Sequence, residues 1–336
     1  MCASRPASLI SPTPHLSNRL DLIMSQDAFE TSRLLQSNIE SVVLGKPEIV
    51  QLLVTCLLAG EHVLLEDVPG VGKTLAAKAM SQSIEGYFAR LQFTPDLLPS
   101  DITGSVIYRS DTREFEFSPG PIFANVVLAD EVNRAPPRTQ SALLEAMSEG
   151  RVSVDGATHE LPQPFIVVAT QNPFEYEGTY TLPESQLDRF LLRTSVGYPK
   201  REIERTVLQT HRDGEPVDQL KPVVTTDALL AAQQTAREVK FDDTLIDYLL
   251  NIVEATRQHE GFQVGVSTRG ALSFYRGCQA RAITEGRDYV TPDDVKVLSI
   301  PCLAHRVLPR GIFQGANRVE VEAELSDVIQ EIPVPI

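Results

Sequence analysis

The residues from Pro69 to Thr74, PGVGKT, are the types that form a phosphate-binding loop. An apolar run that begins at Val63 precedes them, and a helix-forming run from Leu75 to Met80 follows them. In such a strand–loop–helix unit, the backbone N–H groups of the turn and the positive end of the helix dipole bind polyphosphate. Lys73 would reach the β- and γ-phosphates, and Thr74 would ligate the accompanying Mg²⁺ through its hydroxyl.

Position 67 departs from the full loop pattern. Gly-x4-Gly-Lys-Ser/Thr would have glycine there, and this chain has Asp67. Because that first glycine lies where the strand ends, farther from the phosphates than Gly72, we expect its loss to be tolerated. An acidic side chain turned towards the nucleotide would nevertheless weaken binding, so the sequence leaves the effect of Asp67 open.

Two adjacent carboxylates, Asp130 and Glu131, follow an apolar run that predicts a buried strand. The C-terminal end of a strand is where a parallel sheet builds its ligand site. Asp130 would hold Mg²⁺, directly or through water, and Glu131 would polarise the water that attacks the γ-phosphate. An Asp-Glu pair alone could instead cap the next helix, but its place after a phosphate-binding loop favours hydrolysis.

Asn172 follows a third apolar run, which begins at Phe165. Its amide could hydrogen-bond the attacking water or the γ-phosphate. Asn-Pro alone is typical of a turn. The functional hypothesis gains weight because this would be the third strand end to face one pocket.

Strands that alternate with helices predict the fold that would position these residues. The pattern favours a three-layer α/β/α domain around a mostly parallel sheet, over residues 25–212. Two β-hairpins, at 105–117 and 152–161, are inserted in it. From 222 to 318 the chain is predicted to form a smaller, all-helical domain.

The two ends of the chain are predicted to lie outside these domains. Residues 1–24 are expected to be a disordered extension, with either Met1 or Met24 as the true start. Residues 319–336, which are acidic and end in a Pro-containing segment, are expected to be a weakly ordered tail.

Composition narrows the class of protein. The 336 residues carry Lys+Arg 30 against Asp+Glu 45, and the net charge of -15 argues against non-specific binding of nucleic acid. The 4 cysteines are far apart, so neither a disulfide framework nor a zinc site is predicted. No apolar run approaches the ~20 residues that span a bilayer. A cytoplasmic location is expected.

Longer segments resemble the signatures of MoxR-type AAA+ ATPases. They are LADEVNRAPPRTQSALLEAM from Leu128, QNP from Gln171, LPESQLDRF from Leu182 and GVSTRGA from Gly265. The resemblance covers residues 27–310 and implies a nucleotide-binding α/β/α domain followed by an all-α lid. It also implies that an acidic residue at position 67 is a variant that the family contains.

The resemblance implies roles for individual residues. Asn172 matches the sensor-1 position, and Arg189 matches the arginine finger that reaches the nucleotide of the neighbouring subunit. Arg269, which opens a lid helix, matches sensor 2, the reader of the γ-phosphate, and Arg134 is a further candidate for a contact between subunits. Each arginine could instead form a surface salt bridge. The segment at Val43 resembles the part that packs against adenine.

The predicted site is therefore as follows. The catalytic residues are Glu131, Lys73, Asn172, Arg189 and Arg269, the ligands of Mg²⁺ are Thr74 and Asp130, and the nucleotide-binding residues are Val43, Gly45, Pro69, Gly70, Val71, Gly72, Lys73, Thr74, Leu75 and Asp130.

We interpret the chain as an ATPase that uses ATP and Mg²⁺ and acts as a homo-oligomeric ring, a hexamer. The resemblance implies a chaperone-like factor that remodels or matures protein complexes, with a von Willebrand factor A-domain protein as partner. The two hairpins would face the pore of the ring and touch the client, although ordinary sheet-edge hairpins have the same sequence pattern. The client, the pathway and the closure of the ring are not predicted.

Three other functions stay open at this point. A nucleic-acid-stimulated motor is disfavoured by the acidic composition and would be revealed by DNA-stimulated hydrolysis. A magnesium-chelatase-like motor subunit is a closer variant of the main hypothesis. If the protein is instead an ATP-gated assembly scaffold, the wild-type protein and the Glu131→Gln variant should hydrolyse ATP equally slowly.

Overall fold

A five-stranded parallel sheet forms the centre of the computed structural model, which describes residues 14–173, 178–210, 215–310 and 318–335. The strands of the chain are β1 (Val63–Glu66), β2 (Ile84–Glu85), β3 (Phe88–Gln92), β4 (Gly104–Arg109), β5 (Glu114–Pro119), β6 (Val126–Asp130), β7 (Arg151–Val154), β8 (Ala157–Glu160), β9 (Ile166–Gln171), β10 (Leu192–Thr194), β11 (Val224–Thr225), β12 (Phe262–Val264) and β13 (Leu308–Pro309). The central sheet has the order β10-β1-β9-β6-β3, with parallel neighbours throughout. The carboxyl ends of β1, β9 and β6 therefore lie side by side.

Helices cover both faces of the sheet because its central strands are apolar on both sides. Along β1 the side chains alternate between the faces, so Leu64 joins one apolar cluster while Val63 and Leu65 join the other. The helices are α1 (Pro14–Glu40), α2 (Pro47–Ala59), α3 (Lys73–Gln82), α4 (Pro99–Thr103), α5 (Pro137–Glu149), α6 (Glu184–Leu187), α7 (Arg201–Thr210), α8 (Thr226–Arg237), α9 (Asp243–Gln258), α10 (Thr268–Thr284), α11 (Pro292–Leu303) and α12 (Arg318–Gln330).

The two apolar clusters differ in extent. The cluster that contains Leu64 lies between the sheet and the helices α4 and α5. The cluster that contains Val63 and Leu65 continues from the sheet through α1, α2 and α3 into the helices that follow residue 222. The predicted three-layer fold with a parallel sheet and a helical second part is thus confirmed.

The two predicted hairpins are present as β4–β5 and β7–β8. Asp155 has a φ of 48°, as the two-residue turn of the second hairpin requires. The rings of Phe117 and His159 stack with their centroids 3.8 Å apart, so the two hairpins contact each other. On the first hairpin, the rings of Tyr108 and Phe115 pair at 5.3 Å and both are exposed.

The second part of the chain is not separate from the first. Helix α8 packs against α1 and α2, and β11 pairs with β2 of the α/β domain. Within the boundary predicted at 212–222, Val217 is buried in a short 3-10 turn at Pro216–Gln219. Residues 211–214 lie outside the described residues.

The weakly ordered tail predicted for residues 319–336 is wrong over most of its length. Residues Arg318–Gln330 form α12, which contacts α9 and α11. Its side chains at positions 321, 325, 328 and 329 are apolar and buried, a helical spacing that the acidic residues between them obscure in the sequence.

Two other boundaries differ from the sequence-based expectation. Helix α1 begins at Pro14, inside the extension predicted for 1–24, and proline favours the first turn of a helix. Residues 1–13 lie outside the described ranges, so the prediction for them stays untested. The apolar run before Asp130 predicts a strand from Ile122 onwards, but β6 begins only at Val126, and Ile122 is buried from a turn. Among the described helices, none is long and apolar enough to cross a membrane.

Candidate active site

A cavity of about 400 Å³ lies where the carboxyl ends of β1, β9 and β6 meet. This is the position at which a parallel sheet builds its ligand site, because loops and strand ends from successive units converge there. The residues that line it are Pro69, Gly70, Gly72, Lys73, Thr74, Arg90, Gln92, Asp130, Glu131, Thr170, Gln171 and Asn172.

The predicted phosphate-binding loop joins β1 to α3. Gly70 and Gly72 have φ values of 82° and 100°, a left-handed conformation that glycine adopts without strain. Gly72 is the N-cap of α3, so the loop and the helix N-terminus meet at the cavity. The Lys73 ammonium donates to two backbone carbonyls at the start of the loop, and Thr74 lines the cavity beside it.

Asp67 is not among the residues that line the cavity. Its Oδ1 accepts the N–H of Val68 at 2.8 Å, and its Oδ2 accepts the N–H of Gly197 at 2.6 Å. Gly197 follows β10, so this carboxylate ties the loop to the neighbouring strand end. Both oxygens bind backbone groups, which supports the expectation that the chain tolerates an acidic residue here.

Asp130 is buried at the end of β6, and both of its carboxylate oxygens have partners. Thr170 donates its hydroxyl to Oδ1 at 2.6 Å, and the Arg90 guanidinium donates to Oδ2 at 2.7 Å. Carboxylate and hydroxyl oxygens are ligands that Mg²⁺ accepts, with phosphate oxygens and waters completing its shell. Asp130 and Thr74, both at the cavity, therefore fit the predicted Mg²⁺ ion.

Glu131 has a strained backbone. Its φ of 58° and ψ of 50° are left-handed, a conformation that costs a residue with a Cβ about 1–2 kcal/mol. Its carboxylate accepts from Gln92 Nε2 at 2.8 Å and pairs with Arg134 Nε at 3.3 Å. Its N–H donates to Thr170 Oγ1 at 2.9 Å. Strain of this kind is kept where the surrounding structure holds a functional side chain in place.

Asn172 is buried just beyond β9 and lines the cavity, as predicted. Its carbonyl accepts from Asn133 Nδ2 at 3.3 Å, which links β9 to the segment after β6. The preceding Gln171 donates from Nε2 to Glu66 at 2.6 Å, which links β9 to the end of β1. The three strand ends are therefore connected by side chains as well as by the sheet.

Arg189 and Arg269 are not among the residues that line the cavity of their own chain. Arg189 follows α6, and its Nη1 donates to the Leu144 carbonyl and the Ser148 hydroxyl on α5. Burial, followed by the positive charge of Arg269, lowers the pKa of Arg189. The structure thus brings these two arginines close to each other and apart from the other predicted site residues.

The predicted adenine-binding residues, Val43 and Gly45, do not line the cavity. Val43 is buried, and Gly45 packs so closely on α7 that a Cβ would lie 2.8 Å from Ile203. Val71 and Leu75 also contribute nothing to the lining; Val71 is buried and Leu75 packs on the apolar cluster.

Four lining residues, Arg90, Gln92, Thr170 and Gln171, were not predicted as site residues from the sequence. Arg90 and Gln92 alternate along β3 and so point to the same face, a signal that the sequence contains. Their relevance depends on β3 lying next to β6, which the strand order decides. Thr170 and Gln171 come directly before the predicted Asn172 and form the end of the buried strand β9.

Comparisons with known proteins agree with this geometry. The ATPase family associated with various cellular activities (AAA) matches residues 62–192, and the AAA lid domain matches residues 254–328. The Bacillus subtilis protein YeaC is 48% identical over 301 residues, covering 89% of this chain and 93% of its own length. Chaperone MoxR1 of Mycobacterium tuberculosis is 41% identical, covering 88% of this chain and 80% of its own length. The crystal structure of a Cytophaga hutchinsonii protein superposes with a TM-score of 0.85 at 33% identity, covering 96% of this chain and 100% of its own.

Proposed function

This chain belongs to the MoxR family of AAA+ ATPases and hydrolyses ATP, and we propose that it does so in a ring of identical subunits in order to remodel protein complexes. The observation that carries the proposal is the separation of two groups of residues. The loop, the carboxylates and Asn172 line one cavity, whereas Arg189 and Arg269 do not. A neighbouring subunit that brought its arginine pair to this cavity would complete the site.

The predicted site residues that line the cavity have distinct roles in this proposal. Lys73 and the loop N–H groups bind the β- and γ-phosphates, and Thr74 and Asp130 hold Mg²⁺, which neutralises phosphate charge when it is bound with ATP. Glu131 accepts a proton from the attacking water as the water oxygen bonds to the γ-phosphorus and the β–γ bridging oxygen leaves with ADP. Asn172 hydrogen-bonds the water or the γ-phosphate.

The bonds that occupy Asp130 and Glu131 have to rearrange before this reaction. Arg90 binds Oδ2 of the Asp130 carboxylate that would hold Mg²⁺, and Gln92 and Arg134 bind the Glu131 carboxylate. To hold Mg²⁺, Asp130 would have to exchange its pairing with the Arg90 cation for the ion. Since Arg90 is half exposed, its pair with Asp130 is weak enough to exchange.

Arg189 and Arg269 supply positive charge in trans in this proposal. Charge spreads over the equatorial oxygens of the transferred phosphoryl group, and a guanidinium from the next subunit stabilises it. The repulsion between the two cations in the single subunit would be relieved by a triphosphate placed between them.

The two hairpins are the proposed client contact. Tyr108 and Phe115 are 56% and 75% exposed although both are large aromatic side chains, and such pairs are common where proteins bind other proteins. The stack of Phe117 on His159 would let both hairpins move together. A partner with a von Willebrand factor A-domain, a hexameric ring and a cytoplasmic location are further parts of this proposal that rest on family resemblance alone.

A mixing experiment tests the shared site. Arg189→Ala subunits keep an intact cavity and Glu131→Gln subunits keep an intact arginine, and each variant alone should hydrolyse ATP about 100-fold more slowly or worse than wild type. A 1:1 mixture should recover activity at about one quarter of its sites, because head-to-tail contacts then pair good cavities with good arginines. If the mixture is no more active than its components, the site is not shared between subunits.

The client contact has a separate test. The double substitution of Tyr108→Ala and Phe115→Ala should leave basal ATP hydrolysis within about twofold of wild type, because both side chains are exposed and far in sequence from the cavity residues. It should abolish any stimulation by an unfolded test protein such as reduced, carboxymethylated α-lactalbumin. Equal stimulation of wild type and the double variant would contradict a client contact at this hairpin.

A further inference from the structure

The Arg306 guanidinium is buried, 5% exposed, and each of its five N–H groups has an acceptor. Nε donates to Asp188 Oδ1 at 2.9 Å, and Nη2 donates to the carbonyls of Asp188 and Phe190 at 3.3 and 2.7 Å. Nη1 donates to the carbonyls of Leu191 at 3.1 Å and of Cys302. No N–H of this guanidinium remains to bind a ligand, so its role lies in what it holds.

What it holds is the segment 188–191, which contains Arg189. This segment connects α6 to β10 in the α/β domain, whereas Arg306 follows α11 in the lid. Every residue of the segment except Arg189 gives at least one backbone or side-chain oxygen to Arg306. The backbone on both sides of Arg189 is therefore fixed to Arg306, while the Arg189 guanidinium itself binds the Leu144 carbonyl and the Ser148 hydroxyl on α5.

Other lid residues strengthen the same attachment. Ser267 donates its hydroxyl to Asp188 Oδ2 at 2.9 Å, so both oxygens of that carboxylate are bound by the lid. His305 contacts the Phe190 carbonyl at 3.0 Å through Nε2. Burial lowers the pKa of His305 well below its usual value, which keeps the imidazole neutral beside the Arg306 cation.

The attachment also reaches Arg269. Ser267 is the N-cap of α10, where its hydroxyl accepts the N–H of Gly270 at 2.9 Å, and Arg269 lies between these two residues. A Cβ at Gly270 would lie 2.7 Å from Arg306 Cδ, so the first turn of α10 and the Arg306 stem are packed as closely as glycine permits. Both arginines of the pair are thus attached to one buried cation.

We infer that Arg306 is a positioning residue that fixes Arg189 and Arg269 to the lid, so that lid movement in one subunit moves the pair that completes the nucleotide site of the next. The inference rests on the proposed shared site. It predicts that loosening Arg306 affects the transfer step in the neighbouring subunit, and leaves nucleotide binding in its own cavity unchanged. Misplacement of a reacting group by about 1 Å can cost about 100-fold in rate.

Two variants test the inference, Asp188→Asn and Arg306→Lys. Asp188→Asn keeps the shape of the side chain and removes the charge-assisted acceptor. Arg306→Lys keeps the charge and removes the planar five-donor geometry. For both we expect an unchanged Kd for a fluorescent ATP analogue, an unchanged KM for ATP, and a kcat that is lower by about 10- to 100-fold. Mixing either variant with Glu131→Gln subunits should restore activity, as it does for Arg189→Ala.

A matched control is Asp294→Asn, which removes the charge from another buried arginine–carboxylate pair of the lid. Asp294 is 1% exposed and accepts from Arg287 at 2.7 and 2.9 Å, with no contact to the segment 188–191. It should lower Tm at least as much as Asp188→Asn does, while kcat at a temperature where the protein is folded stays within about twofold of wild type.

The possible results distinguish the positioning role of Arg306 from the shared site itself. Wild-type kcat in both test variants, or a loss that Glu131→Gln subunits do not restore, overturns the positioning role of Arg306. Failure of the same subunits to restore Arg189→Ala overturns the shared site itself. If Arg306→Lys does not fold, Asp188→Asn decides the question alone, because its segment keeps the three backbone carbonyls that accept from Arg306.

Discussion

The cavity and the arginine pair are held in place by different means. The cavity residues lie at strand ends of one parallel sheet, where Asp130 and Asn172 are buried and linked to neighbouring strands by hydrogen bonds of 2.6 to 3.3 Å. Arg189 and Arg269 lie at the junction with the lid, where the backbone is fixed by Arg306 and the Arg269 side chain is exposed. The sheet thus holds one half of the proposed shared site rigidly, and the lid junction carries the other half, which would move with the lid.

In the proposed ring, this difference would let the nucleotide state of one subunit affect hydrolysis in the next. A rigid sheet keeps the phosphate-binding groups in a fixed geometry, which hydrolysis requires. A lid that shifts by hinge movement carries its attached arginines with it. The four substitutions that follow alter either the cavity or the lid junction, and each should leave the other region intact.

Lys73→Ala should have the largest effect, because it removes the cation that the loop offers to the β- and γ-phosphates. We expect loss of measurable ATP binding, followed by fluorescence of an ATP analogue, with Tm within a few degrees of wild type. The control is Lys78→Ala, on the same helix as Lys73. It removes an ion pair with Glu215 and should leave ATP binding normal. If Lys73→Ala keeps the wild-type affinity for ATP, the cavity is not the ATP-binding site.

Leu325→Ala tests the lid half through α12. Leu325 is completely buried, and truncating it should lower the free energy of unfolding by about 2–5 kcal/mol. The measurement is urea denaturation, with ATP binding unchanged in the absence of urea. Val319→Ala on the same helix, which is 66% exposed, should change stability by less than about 0.5 kcal/mol. Equal stability of both variants would mean that α12 does not pack as described.

His305 should make stability depend on pH. Its pKa in the folded protein is below the ordinary value of about 6.5, because burial and then the Arg306 charge disfavour the imidazolium. The unfolded chain therefore binds the proton first as pH falls, and stability is full above pH ~6.5 and declines below it, by up to about 1.4 kcal/mol per pH unit. Urea denaturation of wild type and His305→Gln between pH 7.5 and 5.5 measures this slope.

His305→Gln should flatten this pH slope without abolishing it. His62 is buried too, and burial lowers its pKa, so part of the slope should persist in His305→Gln. A slope that is identical in wild type and His305→Gln would show that His305 does not titrate in this way.

Arg90→Ala should have the smallest effect. Because Arg90 is 48% exposed, its pair with Asp130 is worth about 0.2–1 kcal/mol, so the Mg²⁺ concentration for half-maximal hydrolysis should fall by at most about fivefold. The control is Arg109→Ala, which removes an arginine of similar exposure, paired with Glu116 on the first hairpin, and should not change the Mg²⁺ dependence. A higher Mg²⁺ requirement in Arg90→Ala would mean that Arg90 assists the metal instead of competing with it.

Local sequence predicted most of the rigid half. The loop at 69–74, Asp130, Glu131 and Asn172 each follow an apolar run, and parallel strands present their carboxyl ends on one edge. Arg90 and Gln92 escaped prediction because their place depends on which strand lies next to β6, a relation between segments that are distant in sequence. Helix α12 was not predicted for another reason. Its sequence was interpreted as an acidic tail, although its apolar residues recur at helical spacing.

By itself, the sequence determined the strand ends, the phosphate-binding loop and the family, because these are written in contiguous residues whose chemistry does not depend on distant parts of the chain. Only the tertiary structure decided that Asp67 binds Gly197, that Arg90 binds Asp130, and that Arg306 holds the segment of Arg189. In each of these pairs a charged group finds partners across at least 40 residues of chain. Such pairing is set by packing and burial, which no local pattern encodes.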